Sequence, residues 1–67
     1  MEHDETEIRE TLHDMNNTLA AVLGSAELIL AEAEHGSQTA QDARNICVAA
    51  IRSRELIGTL RGQLHLA

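Results

Sequence analysis

The segment Leu12-His13-Asp14-Met15-Asn16-Asn17-Thr18-Leu19 holds most of the reactive chemistry in this chain. A neutral imidazole nitrogen is a nucleophile, and the proton on the other ring nitrogen becomes acidic as the new bond forms. The carboxylate of Asp14 can accept or hold that proton, fix the tautomer and stabilise the developing imidazolium. An amide one turn on, Asn17, can orient a water or contact a phosphate oxygen. If the electrophile is a γ-phosphoryl group, the product is a phosphohistidine. A His-Asp pair by itself is far more often just two solvated surface residues, so the surroundings must decide. Asp, Asn and Thr are each a few tenths of a kcal/mol worse than Ala inside a helix. Packing alone would not concentrate them here, and local inconsistency within a consistent element marks a site.

The elements that carry this cluster are helical. The chain has 67 residues, 43% of them hydrophobic, with no Phe, Trp, Tyr or Pro and only 4 Gly. That composition lacks the β-formers and turn residues of small barrels and sandwiches. The class is all-α. The one break is His35-Gly36-Ser37-Gln38, where Gly36 suits the left-handed position past a helix end and Ser37 or Thr39 suits an N-cap. Thr39 with Asp42 approximates a capping pattern, and Asp4 with Glu7 has the spacing of a capping box. The reading is helix 1 over about 4–34, a turn at 35–38 and helix 2 over about 39–66.

Helix 1 has an apolar seam at Ile8, Leu12, Met15, Leu19, Val22, Ala26, Ile29 and Ala33, widened by Leu23 and Leu30. Helix 2 repeats it with Ala43, Ile46, Ala50, Ser53, Ile57, Leu60 and Leu64, flanked by Cys47. Stripes this wide belong to bundle-facing helices. Two antiparallel helices cannot cover both, whereas a two-fold pair of hairpins closes a four-helix bundle. A homodimer is expected, and the single Cys47, which excludes an internal disulfide, points the same way for so short a chain. Around helix 1, at about 100° per residue, His13 projects from the shoulder of the seam, with Asn17 about 40° and Asp14 about 100° further round.

Charge excludes some partners. Nine of the eleven acidic residues lie at or before Glu34 and four of the five Arg lie in helix 2, so the helices of a hairpin are electrostatically complementary. The formal net charge of −6 argues against nucleic acid and against direct contact with an anionic membrane. No apolar run reaches the roughly 18–20 residues of a membrane span, and the acidic N-terminus is unlike a secretory leader. With one free thiol, a cytoplasmic setting is expected. No metal site is expected either: His3 and Glu7 have ligand spacing but no further ligand joins them. His35 reads as a favourable charge at the C-terminal end of helix 1. Cys47 reads as a small core hydrophobe. Gly24 reads as either a close helix approach or a tolerated residue, and Gly58 and Gly62 as marks of a weaker end to helix 2.

Read as one stretch, Leu12 to Leu30, LHDMNNTLAAVLGSAELIL, resembles the phosphoacceptor helix of sensor histidine kinases. It is most similar to the subset written H-D-x-N-N-x-L-x-x-I-x-G-x-x-E-L. His13, Asp14, Asn16, Asn17, Leu19, Gly24, Glu27 and Leu28 stand at matching positions, with Val22 in the Ile place. The proline that many members carry shortly after the motif is absent; Thr18, Leu19 and Ala20 stand there. The resemblance implies a dimerisation and histidine-phosphotransfer domain, with His13 the phosphoacceptor, Asp14 the assisting acid and Asn17 the position linked to phosphatase activity. It implies a histidine kinase ATP-binding domain as phosphoryl donor and a response-regulator receiver domain as acceptor. ATP and Mg²⁺ then act through those partners, since 67 residues leave no room for the family's nucleotide-binding boxes. On this reading the chain is a domain of a larger two-component kinase. The alternatives are a purely structural helical dimerisation module and a free-standing histidine phosphotransfer protein.

Overall fold

The structure, a computed structural model, describes residues 4–65. They form two helices packed against each other, α1 (Glu5–Glu32) and α2 (Gln38–Gln63), and among the described residues there is no strand. The hairpin is a rod about 48 Å long and 20 by 16 Å across. His3 and Leu66 lie outside the described residues, and α2 itself ends at Gln63, about three residues before the expected end, with Leu64 as its C-cap.

Each helix begins where a short polar side chain can take an orphan amide. Asp4 is extended, and its Oδ1 accepts the Glu7 N–H at 2.8 Å, with Glu5 and Glu7 acidic in the first turn where the helix dipole favours them. Ser37 does the same for α2, its Oγ accepting the Ala40 N–H at 3.1 Å. Of the two expected caps Ser37 is therefore the one used, and Thr39 lies inside the helix. Thr18 Oγ1 donates to the Asp14 carbonyl at 2.8 Å, and α1 runs through the motif without a break.

The turn differs in detail from expectation. α1 stops at Glu32, two residues early, and Ala33 leaves with extended backbone. Gly36 is left-handed (φ 79°) as anticipated, yet it does not cap α1. It occupies the third position of a four-residue turn closed by the Ser37 N–H donating to the Glu34 carbonyl at 3.0 Å, a place where positive φ is required. His35 accordingly sits in this turn and not in the last turn of α1, which holds no basic residue. Gly36→Ala should lower the thermal midpoint through about 1 kcal/mol of left-handed strain, measurable by circular dichroism melting.

The contact line between the helices is made of small residues. Ala26, Ala40, Ala43 and Ala50 are buried together with Leu12 and Ile57. Leu19, Leu23 and Leu30 are half-buried beside them, as is Cys47. Alanines let the two backbones approach along a narrow line, and a larger side chain there would overpack it. Gly24 does not serve such an approach, because a Cβ added to it would meet nothing within 4 Å. Gly24→Ala should therefore stabilise the hairpin by about 0.5–1 kcal/mol, through helix propensity and a less free unfolded chain, seen as a higher unfolding midpoint in urea.

The apolar seams divide unevenly. Met15, Val22 and Ile29 on α1, with Ile46, Leu60 and Leu64 on α2, remain 40–45% exposed. Surface recesses lined by Met15, Leu19, Ser53, Leu56, Ile57 and Leu60, and by Val22, Ala26, Ile29 and Ile46, lie along this side. Met15, Val22 and Ile29 recur every seven residues, and Ile46, Leu60 and Leu64 are spaced by fourteen and four, so one flank of the hairpin carries an open apolar groove.

Candidate functional site

His13, Asp14 and Asn17 are all exposed, on a helix that continues for several turns to either side. A rigid helix fixes where each points. Leu12 faces α2 and is buried; from it, at about 100° per residue, Asn16 lies about 40° round and His13 about 100° round. Met15 and Val22 lie about 60° and 80° the other way. The imidazole thus stands on the flank opposite the open groove, and covering the groove leaves it accessible.

Asn17, one turn after His13 and about 40° further round, shares this flank. Asp14 does not. Adjacent helical residues diverge by about 100°, and Asp14 lies on the rim of the groove side, beside Thr11, Met15 and Thr18. His13 makes no hydrogen bond or ion pair with any described residue. The three residues therefore form no preassembled triad: His13 and Asn17 stand together, and Asp14 is a neighbour along the chain whose carboxylate is free to meet a group arriving from outside.

The structure adds residues that composition could not single out. Asn16 is half-buried, and its Oδ1 is covered with no hydrogen-bond partner. It lines a shallow recess with Ile51, Arg54 and Glu55, on the same flank as His13. Near the open end of the hairpin, Arg61 is half-buried and its Nε is likewise covered without a partner. A covered polar atom lacking a partner is costly to leave so, so both report incomplete surroundings. The sequence signals for Asn16 are its place in the H-D-x-N-N pattern and its company of poor helix formers, neither of which discloses a covered, unpartnered amide oxygen.

Other chemistry is sparse. Among the described residues no group of three or more His, Cys, Asp or Glu is placed to hold a metal ion. No helix among them is long and apolar enough to cross a membrane. Arg9 pairs with Glu5 at 2.9 Å and Arg52 with Glu55 at 3.7 Å, both solvent-exposed contacts worth about 0.3–0.5 kcal/mol. No family model, no curated protein and no solved structure matches the chain.

Proposed function

We propose that the chain is the dimerisation and phosphoacceptor domain of a two-component histidine kinase, working as a homodimeric four-helix bundle. The observation that carries the reading is an accessible imidazole on a rigid helix, turned away from an apolar groove that a second copy would fill. The H-D-x-N-N motif that His13 heads supports it further.

The case for a second copy rests on area and on charge. A compact folded monomer of this mass should expose about 4,200 Å², whereas the hairpin exposes 5083 Å². The excess is of the order of the roughly 800 Å² that each partner buries in a standard interface. α1 carries six carboxylates against one arginine, and α2 four arginines against two carboxylates. A two-fold axis along the bundle sets each α1 against the partner's α2, opposing unlike charges. The other face-to-face arrangement would set α1 on α1. The favoured pairing leaves the two copies of His13 at one end of the bundle, on opposite outer flanks.

The chemistry is a pair of phosphoryl transfers. A nitrogen of His13 attacks the γ-phosphorus of ATP held by a separate kinase domain; the N–P bond forms, the bond to the bridging oxygen breaks, and ADP departs with that electron pair. The proton released from the imidazolium passes to Asp14 or to water. An aspartate of a receiver domain then attacks phosphorus, the P–N bond breaks, and the imidazole regains its proton, with Mg²⁺ supplied at the receiver. Asn17 stands where it can orient a water against the phosphohistidine, the hydrolytic branch of the same chemistry.

A transfer assay separates this from a purely structural module. The chain is phosphorylated with potassium phosphoramidate, freed of reagent by gel filtration and mixed with receiver domains and Mg²⁺. Loss of phosphohistidine matched by gain of aspartyl phosphate is the expected result. Phosphohistidine that persists unchanged against every receiver tried would leave the scaffold reading standing.

A further inference from the structure

Phosphorylating His13 puts a group of charge near −2 on a surface that already carries a net negative charge, and something must meet that charge. The chain contains five basic residues besides its histidines, all of them Arg. Arg9 lies one turn before His13 on the same flank, and its charge is offset by the exposed Glu5 carboxylate at 2.9 Å. Arg52 is engaged with Glu55, Arg61 is partly buried at the packing face, and Arg44 lies in the half of α2 next to the turn, far from His13 along the rod. Arg54 remains. It is exposed, makes no hydrogen bond or ion pair with any described residue, and lines the recess facing Asn16.

A second observation concerns that recess. Asn16 Oδ1 is covered and lacks a donor, and apart from Asn16 itself Arg54 is the one lining residue whose side chain carries N–H groups. A guanidinium has five N–H donors on a planar fork, so one edge can satisfy an amide oxygen while the other stays free for two phosphoryl oxygens. Asn16 and His13 are three residues apart, about 4.5 Å along the axis and about 60° round it. That is within the swing of an arginine anchored at Asn16.

We propose that Arg54 is the anion-holding residue of the phosphorylated His13 site, with Asn16 as its positioning residue. This rests on His13 being the phosphoacceptor. The charged and titratable groups around the phosphoryl are then Arg9 and Glu10, one turn before His13 on its flank, Asp14 beside it in the chain, and Arg54 and Glu55 from α2. Arg54 is the one that closes on the phosphoryl oxygens.

The test uses the 67-residue chain with His3, His35 and His65 replaced by Gln, so that phosphoramidate labels His13 alone. The ³¹P resonance is then titrated between pH 4 and pH 9. An adjacent guanidinium favours the dianion, so Arg54→Gln should raise the phosphoryl midpoint by about 0.5 unit or more. Arg54→Lys should give an intermediate value, because a point charge replaces part of what the fork does. Asn16→Ala should move it in the direction of Arg54→Gln, and Arg9→Gln should leave it in place. Superimposable titrations of the parent and Arg54→Gln, or a shift that follows Arg9 instead, would overturn the assignment. Circular dichroism of each variant confirms that the helices persist. The titration needs no receiver: an Arg54 shift without transfer would sink the relay alone, and transfer without a shift would sink Arg54 alone. A His13 that takes no label would sink both.

Discussion

His13→Gln should abolish phosphoryl acceptance while leaving the helical circular dichroism and the oligomeric state of the chain unchanged. The ring is exposed and makes no hydrogen bond or ion pair with a described residue, so its loss removes no packing and no structural partner. Gln keeps good helix propensity and a polar, solvated side chain, but its amide nitrogen is no nucleophile at neutral pH. With a histidine kinase ATP-binding domain and labelled ATP supplied together, the parent chain should acquire an acid-labile, base-stable label, and the variant should fall to background, a loss of at least a hundredfold. Asp14→Asn should slow labelling by about 10²-fold without abolishing it, because it removes a proton acceptor and leaves the nucleophile in place. Equal labelling of parent and His13→Gln would show that another residue takes the phosphoryl group and would remove the basis of the relay.

The features on which that expectation rests differ in how far residue types disclose them. Two helices, the break between them and the Asp4 cap follow from local rules that act within a few residues: apolar spacing, a glycine at positive φ, a side-chain oxygen three residues before an amide. The exposed shoulder position of His13 follows from helical geometry once Leu12 is taken as core. The division of each seam is a different matter. Periodicity gives the width of an apolar stripe, but not which edge the chain's own second helix covers. Met15, Val22 and Ile29 were indistinguishable in pattern from Leu12 and Ala26, yet they stay open while the others are buried. The controlling fact is tertiary: helices crossing on a line of alanines touch only narrowly, so the larger residues at the edge fall outside the contact. Asn16 and Arg54 belong to the same category. Their opposition across the recess depends on the register between α1 and α2, which the turn at 33–37 sets and no single-helix pattern contains.

The open edge gives the second large effect. Val22→Glu combined with Leu60→Glu should convert a dimer to a monomer in sedimentation experiments across the micromolar range. Both side chains are 40–41% exposed in the isolated hairpin, so they are already wet on the groove side, and the alanine line with Leu12 and Ile57 beneath them is left intact. In the pair, two-fold symmetry brings four carboxylates into an interface core where each would be desolvated without a partner. Burying the remaining surface of a large aliphatic side chain contributes roughly 1 kcal/mol, and an unpaired charge in its place reverses the sign and adds several more. A weakening of at least about 4 kcal/mol, or a thousandfold in Kd, is therefore expected. Thermal behaviour should change in kind as well. A dimer's midpoint rises with protein concentration through mass action, and the variant's should lie lower and become independent of it. A chain this small rarely holds a core without help, so the coupling between association and stability should be strong. Charges placed instead at His13 and Ala20, on the other flank, should leave the sedimentation coefficient where it was. If those two outcomes exchanged places, the face that carries His13 would be the one the second copy covers, and a partner could not reach the imidazole.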